Sequence, residues 1–321
     1  MLINTPDPRC RVCGGDTEEA GAAVGTVRKR EYHLRRCPAC GYGFVADPWT
    51  DYDSIYDDAY YRGQGADPLV DYVSELESPE VTVRQHEWRG MVSVVSSLAG
   101  AGPETMWLDY GCGTGGLVRH LRSLGWERVS GFEQGWAVPR LRRIGVPLVA
   151  GEQLPELAGR FDVVTAIEVI EHVVDPVSEL RTMAELLRPG GLLFLTTGNA
   201  APHAADLPGW SYVRPEIHVS FFEPRTLATA MKRVGLSPSF PGPVPGWDEI
   251  LRFKILKNLG RKRASRLDRV LLPAALCRLA DRRLGVSAHP VGWRSPQPDP
   301  TTFEPSRVQP VRDPSGSPRL G

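Results

Sequence analysis

"TMWLDYGCGTGG", Thr105 to Gly116, is an apolar run that closes on an acid and then breaks into glycine. The apolar residues predict a buried strand. Gly111, Gly113 and Gly116, at G-x-G-x-x-G spacing, predict a sharp turn into a helix marked by Leu117, Leu121 and Leu124. Glycines at such a turn leave the backbone open to a ligand. The same alternation recurs downstream. "RVSGFE" predicts a second strand, "AVPRLRRIG" a helix, "VPLVAG" a third strand, "FDVVTAIEV" a fourth, "PVSELRTMAELLRPG" a helix and "GLLFLTTG" a fifth strand. The expected fold class is therefore α/β: a Rossmann-like, doubly wound, mostly parallel sheet with ligands at the carboxyl ends of its strands. Upstream, Trp88, Val92, Val95 and Leu98 recur at helical spacing and predict a helix packed on this domain.

Asp109 ends the first strand, where a dinucleotide's pyrophosphate would lie. A carboxylate there repels phosphate and attracts an ammonium group. Acid followed by Gly111, Gly113 and Gly115 resembles the first motif of class I S-adenosylmethionine-dependent methyltransferases, whose cofactor carries an ammonium and no phosphate. The resemblance extends over residues 85–240. It implies that Glu133 in "GFEQ", with Gln134 beside it, contacts the ribose hydroxyls, and that Gly151 and Glu152 in "VAGEQLPE" lie at the adenine. "FDVVTAIEVIEHVVDP" is similar to the fourth-strand motif, bringing Glu168 to the cofactor, and "LLRPGGLLFLTT" to the turn before the fifth strand. Two other readings compete. Glu133 could cap the next helix, and the glycine spacing also fits NAD, but a dehydrogenase does not need the E-V-I-E-H or R-P-G-G runs.

Cys10, Cys13, Cys37 and Cys40 form two C-x-x-C knuckles in residues 1–46 and predict a zinc-ribbon-like module with one structural zinc. A redox pair would need one C-x-x-C beside a βαβ unit, and both pairs precede any such unit. Cys112, between two glycines, reads as packing. Residues 47–104 are a tyrosine-rich connector and helix, and 105–240 the cofactor-binding core. Residues 241–294 are a basic helical segment ending in a further strand, and 295–321, rich in Pro, Ser and Arg, are expected to be disordered. Lys plus Arg and Asp plus Glu both number 38, so no global charge draws the chain to nucleic acid or membrane. The start, "MLINTPDPRC", has no apolar core after a basic stretch, and no apolar run approaches membrane-spanning length, which predicts a cytoplasmic location.

Loops after the fourth and fifth strands project over the cofactor, so Trp210 and Tyr212, with Tyr60 and Tyr61 from the connector, are expected to enclose the methyl acceptor. His172 and His218 are the candidate proton acceptors. Glu168 and Glu171 beside His172 should raise its pKa, leaving His218 the less encumbered base. A zinc-ribbon module before such a core resembles bacterial methyltransferases of sugar, polysaccharide and natural-product pathways, and E-V-I-E-H resembles quinone-pathway O-methyltransferases. The expected reaction is O- or C-methylation of a small-molecule or sugar-type acceptor. The alternative is an RNA methyltransferase or RNA-binding protein that grips phosphates through the zinc module and the segment Arg252 to Arg283, centred on Arg261, Lys262 and Arg263. Leu256, Leu259, Leu267 and Leu271 would give the same segment an apolar side for peripheral membrane contact.

Overall fold

The computed structural model describes residues 9–240, 244–284 and 291–294. The cysteine knuckles flank the hairpin of β1 (Glu18–Val24) and β2 (Glu31–Arg36), and β3 (Gly43–Val45) follows the second knuckle to complete an antiparallel ribbon. Three helices follow: α1 (Asp58–Tyr61), α2 (Tyr72–Glu77) and α3 (Gln85–Ala99). Asp57 and Asp71 cap the first two by accepting the amides of Tyr60 and Ser74, which satisfies helix-start donors that lack an internal partner. α3 packs Trp88 and Val95, with the partly buried Val92 and Leu98, against the core domain as its spacing predicts, and it buries Met91 and Val94 beside them.

The core runs β4 (Trp107–Tyr110), α4 (Gly116–Ser123), β5 (Val129–Phe132), α5 (Val138–Arg143), β6 (Leu148–Val149), β7 (Phe161–Ile167), α6 (Pro176–Leu186) and β8 (Leu187–Thr196). Asp175 and Pro176 start α6 as a side-chain cap and a first-turn proline. Next come β9 (Ser220–Phe221), α7 (Pro224–Arg233), β10 (Ser237–Ser239), α8 (Trp247–Asn258), α9 (Asp268–Leu271), α10 (Ala274–Leu284) and β11 (Val291–Arg294). The sheet order is β10-β11-β8-β7-β4-β5-β6, with β6 through β8 parallel and β11 antiparallel between β8 and β10. From β4 the chain winds outward to β6, then restarts at β7 on the other side. That reversal opens a crevice at the carboxyl ends of β4 and β7, as the α/β expectation requires. β3 pairs with β9, so the amino-terminal ribbon is hydrogen-bonded to the loop after β8.

The segment after residue 240 departs from a free basic arm. α8 packs on α3 and buries Trp247, Ile250, Leu251, Phe253 and Leu256. Leu256 sits with Val83 and Phe253, whereas Leu259, Leu267 and Leu271 are 71%, 60% and 64% exposed, so these four leucines do not share one apolar stripe. Arg252 is buried against Asp248 and Glu249 instead of facing phosphates, because these carboxylates, one turn before it on α8, neutralise it where the helix packs inward. Among the described residues, no helix is long and apolar enough to cross a membrane. The predicted tail, 295–321, lies outside them.

Candidate active site

Asp109 is buried at the end of β4, where its carboxylate accepts the Thr165 hydroxyl at 2.8 Å. Burial pushes its pKa up to about 7. Gly111 and Gly113 follow in the left-handed region, with φ of 72° and 54°. A Cβ on Gly111 would meet Val169 at 2.6 Å, while the space at Gly113 is open, as close approach of a ligand demands. Gly116 serves packing, because a Cβ there would lie 1.9 Å from the Trp88 ring. At the end of β5, Glu133 accepts the amides of Gly113 (2.8 Å), Gln134 (2.9 Å) and Gly135 (3.0 Å), which ties the acid to the glycine loop. One cavity of about 1430 Å³ extends from this loop to His172 and His218. Its walls include Asp109, Gly111, Gly113, Glu133, Gln134 and Glu168, but not Gly115, Gly151 or Glu152, the last two of which are exposed on the turn after β6.

At the far end, Glu168 has a φ of 54°, an unusual backbone for a residue with a side chain. Its carboxylate accepts the hydroxyls of Thr196 and Tyr212 at 3.1 Å each and the Lys254 ammonium at 3.0 Å. The charges of Lys254 and Lys257 outweigh burial and hold its pKa down at about 2. Glu171, fully buried, accepts the Thr197 hydroxyl and shares the Tyr212 hydroxyl with Glu168, and burial with the Glu168 charge beside it pushes its pKa up to about 8. His172 donates from Nδ1 to the Ile217 carbonyl (2.8 Å), with the Tyr56 hydroxyl 3.2 Å from the same nitrogen. His218 donates from Nδ1 to the Tyr212 carbonyl (2.7 Å). These bonds set both tautomers and leave each Nε2 as an acceptor.

The expectation that Glu168 and Glu171 raise the His172 pKa is corrected here: burial outweighs the Ile217 carbonyl and the Glu168 and Asp67 charges and lowers it. His218 is lowered further, to about 3, by burial and by His172, whose ring lies 4.9 Å away. Glu171, His172 and His218 each offer a ligand atom, all within 4.8 Å of one another, so the trio can also hold a metal ion.

Aromatic rings enclose this space. Trp210 stacks between His203 and Tyr212, and Tyr212 tilts onto His218. Tyr60 is buried against Tyr56, Tyr72 and Ile217. Tyr61 reaches the opposite end, stacked at 4.2 Å on Trp136 just after Glu133. Sequence reasoning missed Arg84 and Glu87 of α3 and Lys254 and Lys257 of α8, all of which line the cavity. The available signal was the three-residue spacing of the two lysines, which puts them on one face of the helix.

Apart from this cavity, the four knuckle cysteines converge. Cys10 and Cys40, and Cys13 and Cys37, have sulfurs 3.5 Å apart, and all four lie within 4.8 Å of one another. Four thiolates bound to zinc at about 2.3 Å would be separated by about 3.8 Å, so the donor set fits a tetrahedral zinc. The knuckles are built alike, with the amides of Gly14 and Gly41 bonded to the carbonyls of Cys10 and Cys37 at 2.8 Å. Cys112 is buried, in keeping with packing.

Residues 83–238 match the family described as "Methyltransferase domain". The chain is 34% identical over 154 residues to a ubiquinone biosynthesis O-methyltransferase of Bordetella pertussis, covering 41% of this chain and 62% of that one. It is 33% identical over 167 residues to the protein of that name from Bordetella avium, covering 45% and 67%. It therefore spans somewhat under two thirds to two thirds of these relatives' length. Among solved structures it is similar, at 16% identity and a TM-score of 0.43, to Burkholderia thailandensis 1,6-didemethyltoxoflavin-N1-methyltransferase, covering 87% of this chain and 100% of that one.

Proposed function

The chain belongs to the class I S-adenosylmethionine-dependent methyltransferases, and we propose that it methylates an oxygen of a small hydroxylated acceptor bound in the cavity beside His172 and His218. The observation that carries this reading is the pair of imidazoles at the acceptor end, each with Nδ1 committed to a carbonyl and Nε2 available as acceptor. The cofactor end fits adenosylmethionine. Gly113 presents open backbone, Glu133 stands beside it, and the buried Oε1 of Glu87 has no hydrogen-bond partner in a wall otherwise suited to an ammonium. When bound, the cofactor supplies an electrophilic methyl on a sulfonium. The chain's own residues align the acceptor oxygen with that methyl, exclude water and take the hydroxyl proton. Burial makes His218 the weaker base of the pair, so we assign proton acceptance to His172 and orientation of the acceptor to His218. Aromatic walls support a planar, phenolic acceptor, with a sugar hydroxyl as the alternative. Free thiols and balanced charge support a cytoplasmic location.

A second reading uses the same trio. A divalent cation held by Glu171, His172 and His218 would lower the acceptor hydroxyl's pKa as a Lewis acid. Methyl-labelled adenosylmethionine offered with catechols, hydroxylated sugars and RNA tests both readings. Label in an oxygen-linked small-molecule product supports the proposal, and loss of that transfer on chelation in wild type and in Cys37→Ser alike, restored by magnesium or manganese and not by zinc, selects the metal reading. Label in RNA alone, or none transferred, overturns the proposal.

Two expectations concern the cofactor. Glu133→Ala removes both a ribose acceptor and the tie to Gly113, and should weaken adenosylmethionine binding by roughly 1.5–3 kcal/mol in calorimetry. Asp109 has a folded pKa above the usual value of about 4, so its contribution to stability is full below that pH and is lost as pH rises through about 7. A bound ammonium favours the ionised form. Cofactor binding near pH 6 should therefore release a proton, detectable as a buffer-dependent binding enthalpy, and affinity should rise towards pH 8. Neither effect should appear in Asp109→Asn.

A further inference from the structure

Among the described residues, four cationic side chains line the cavity: Arg84, Arg214, Lys254 and Lys257. Three are matched by carboxylates. Arg84 bonds Glu75 and Glu87 at 3.0 and 3.1 Å, Arg214 bonds Asp67 at 2.5 Å, and Lys254 bonds Glu168 at 3.0 Å. Lys257 has no hydrogen bond or ion pair among the described residues, and the Phe253 ring lies 6.0 Å from its ammonium. Burial and the neighbouring Lys254 lower its pKa, as expected of a cation whose charge is not offset where it sits.

Its position along the cavity says what it faces. Asp109, at the cofactor end, feels Glu133, Glu87 and Arg84. Lys257 instead acts on Asp67 and Glu168, which flank the acceptor end through Arg214 and Tyr212. Arg84, Glu75 and Lys254 also face it, and each of these already has an opposite charge in contact. Arg84, acting on Asp109, is thus the cation of the glycine-loop side and is already paired with two carboxylates, while Lys257 acts on the Glu168 side of the cavity.

We propose that Lys257 binds an anionic oxygen group, a carboxylate or phosphate, on the methyl acceptor, which is therefore an anionic hydroxylated aromatic compound. An ammonium in a partly desolvated wall gains a charge-assisted bond from such a group and none from a neutral one. The inference rests on the reading of this cavity as a methyl-acceptor site.

Caffeate and its methyl ester share a ring and differ in charge, so each should be titrated into protein saturated with S-adenosylhomocysteine. Wild type should bind caffeate at least about tenfold more tightly than the ester. Lys257→Gln should bring the two to parity with adenosylhomocysteine affinity unchanged, which also reports an intact fold, and Lys257→Arg should keep the preference. Caffeate binding no tighter than the ester in wild type, or a preference surviving in Lys257→Gln, overturns the proposal. So does a comparable loss of adenosylhomocysteine affinity in Lys257→Gln, which would give the lysine to the cofactor carboxylate. Failure of the underlying reading shows separately, as no label passing from adenosylmethionine to either compound while the charge preference in binding persists.

Discussion

His172→Ala should lower kcat by about 10²–10⁴-fold and leave adenosylhomocysteine affinity essentially unchanged, because general-base assistance acts on the acceptor proton and not on cofactor binding. The imidazole also ties the loop after β7 to the Ile217 carbonyl through Nδ1, so alanine removes a structural bond along with the base. His172→Asn separates the two contributions. The amide nitrogen can still donate to that carbonyl, so the variant should fold as wild type and still lose turnover. His218→Ala should lower kcat too, and the double variant should fall little below the worse single one, because rings 4.9 Å apart in a T-shaped contact act as one unit. Steady-state rates beside calorimetric affinities decide the matter. Full kcat in His172→Asn and His218→Ala would leave alignment as the whole of catalysis.

Loss of metal from the four-cysteine cluster should cost turnover far more than cofactor affinity. β3 runs directly from the second knuckle and pairs with β9, and the Val45 amide bonds the Val219 carbonyl, one residue past His218. Cys40 and Val12 offer carbonyls to Thr226 and Arg233 of α7, and Arg36 pairs with Glu223 at that helix's start. The knuckles are therefore fastened to the stretch that carries His218. A displacement of about 1 Å at a reacting group costs on the order of 10²-fold in rate. Metal analysis of wild type should find about one zinc per chain, and Cys37→Ser should lose the metal, drop kcat by roughly that factor and still bind adenosylhomocysteine. Metal-free protein with undiminished kcat would make the cluster an ornament of the surface.

The cofactor end was legible because its residues are neighbours in sequence: strand, acid, glycines and Glu133 lie within 30 residues, and local backbone rules place them. The acceptor end depends on distant partners. Local charge predicts a raised His172 pKa from Glu168 and Glu171, but Glu171 turns away to Thr197 and Tyr212, and His172 is half-buried and held to the Ile217 carbonyl, 45 residues on, where desolvation prevails. Lys254 and Lys257 fall in the segment offered as a phosphate-gripping arm because nothing nearby in sequence reveals Glu168, 86 residues earlier. The tyrosines split for the same reason. Both line the cavity, but Tyr61 meets Trp136 at the cofactor end while Tyr60 packs among Tyr56 and Tyr72.

Glu168 holds its contacts from a left-handed backbone, a conformation that costs a residue with a Cβ about 1 kcal/mol or more and a glycine almost nothing. Chain stability alone favours glycine there; pairing with Lys254 and Tyr212 needs a carboxylate. Selection for thermal endurance and selection for the active site pull this one codon in opposite directions, and the glutamate marks where the second has prevailed.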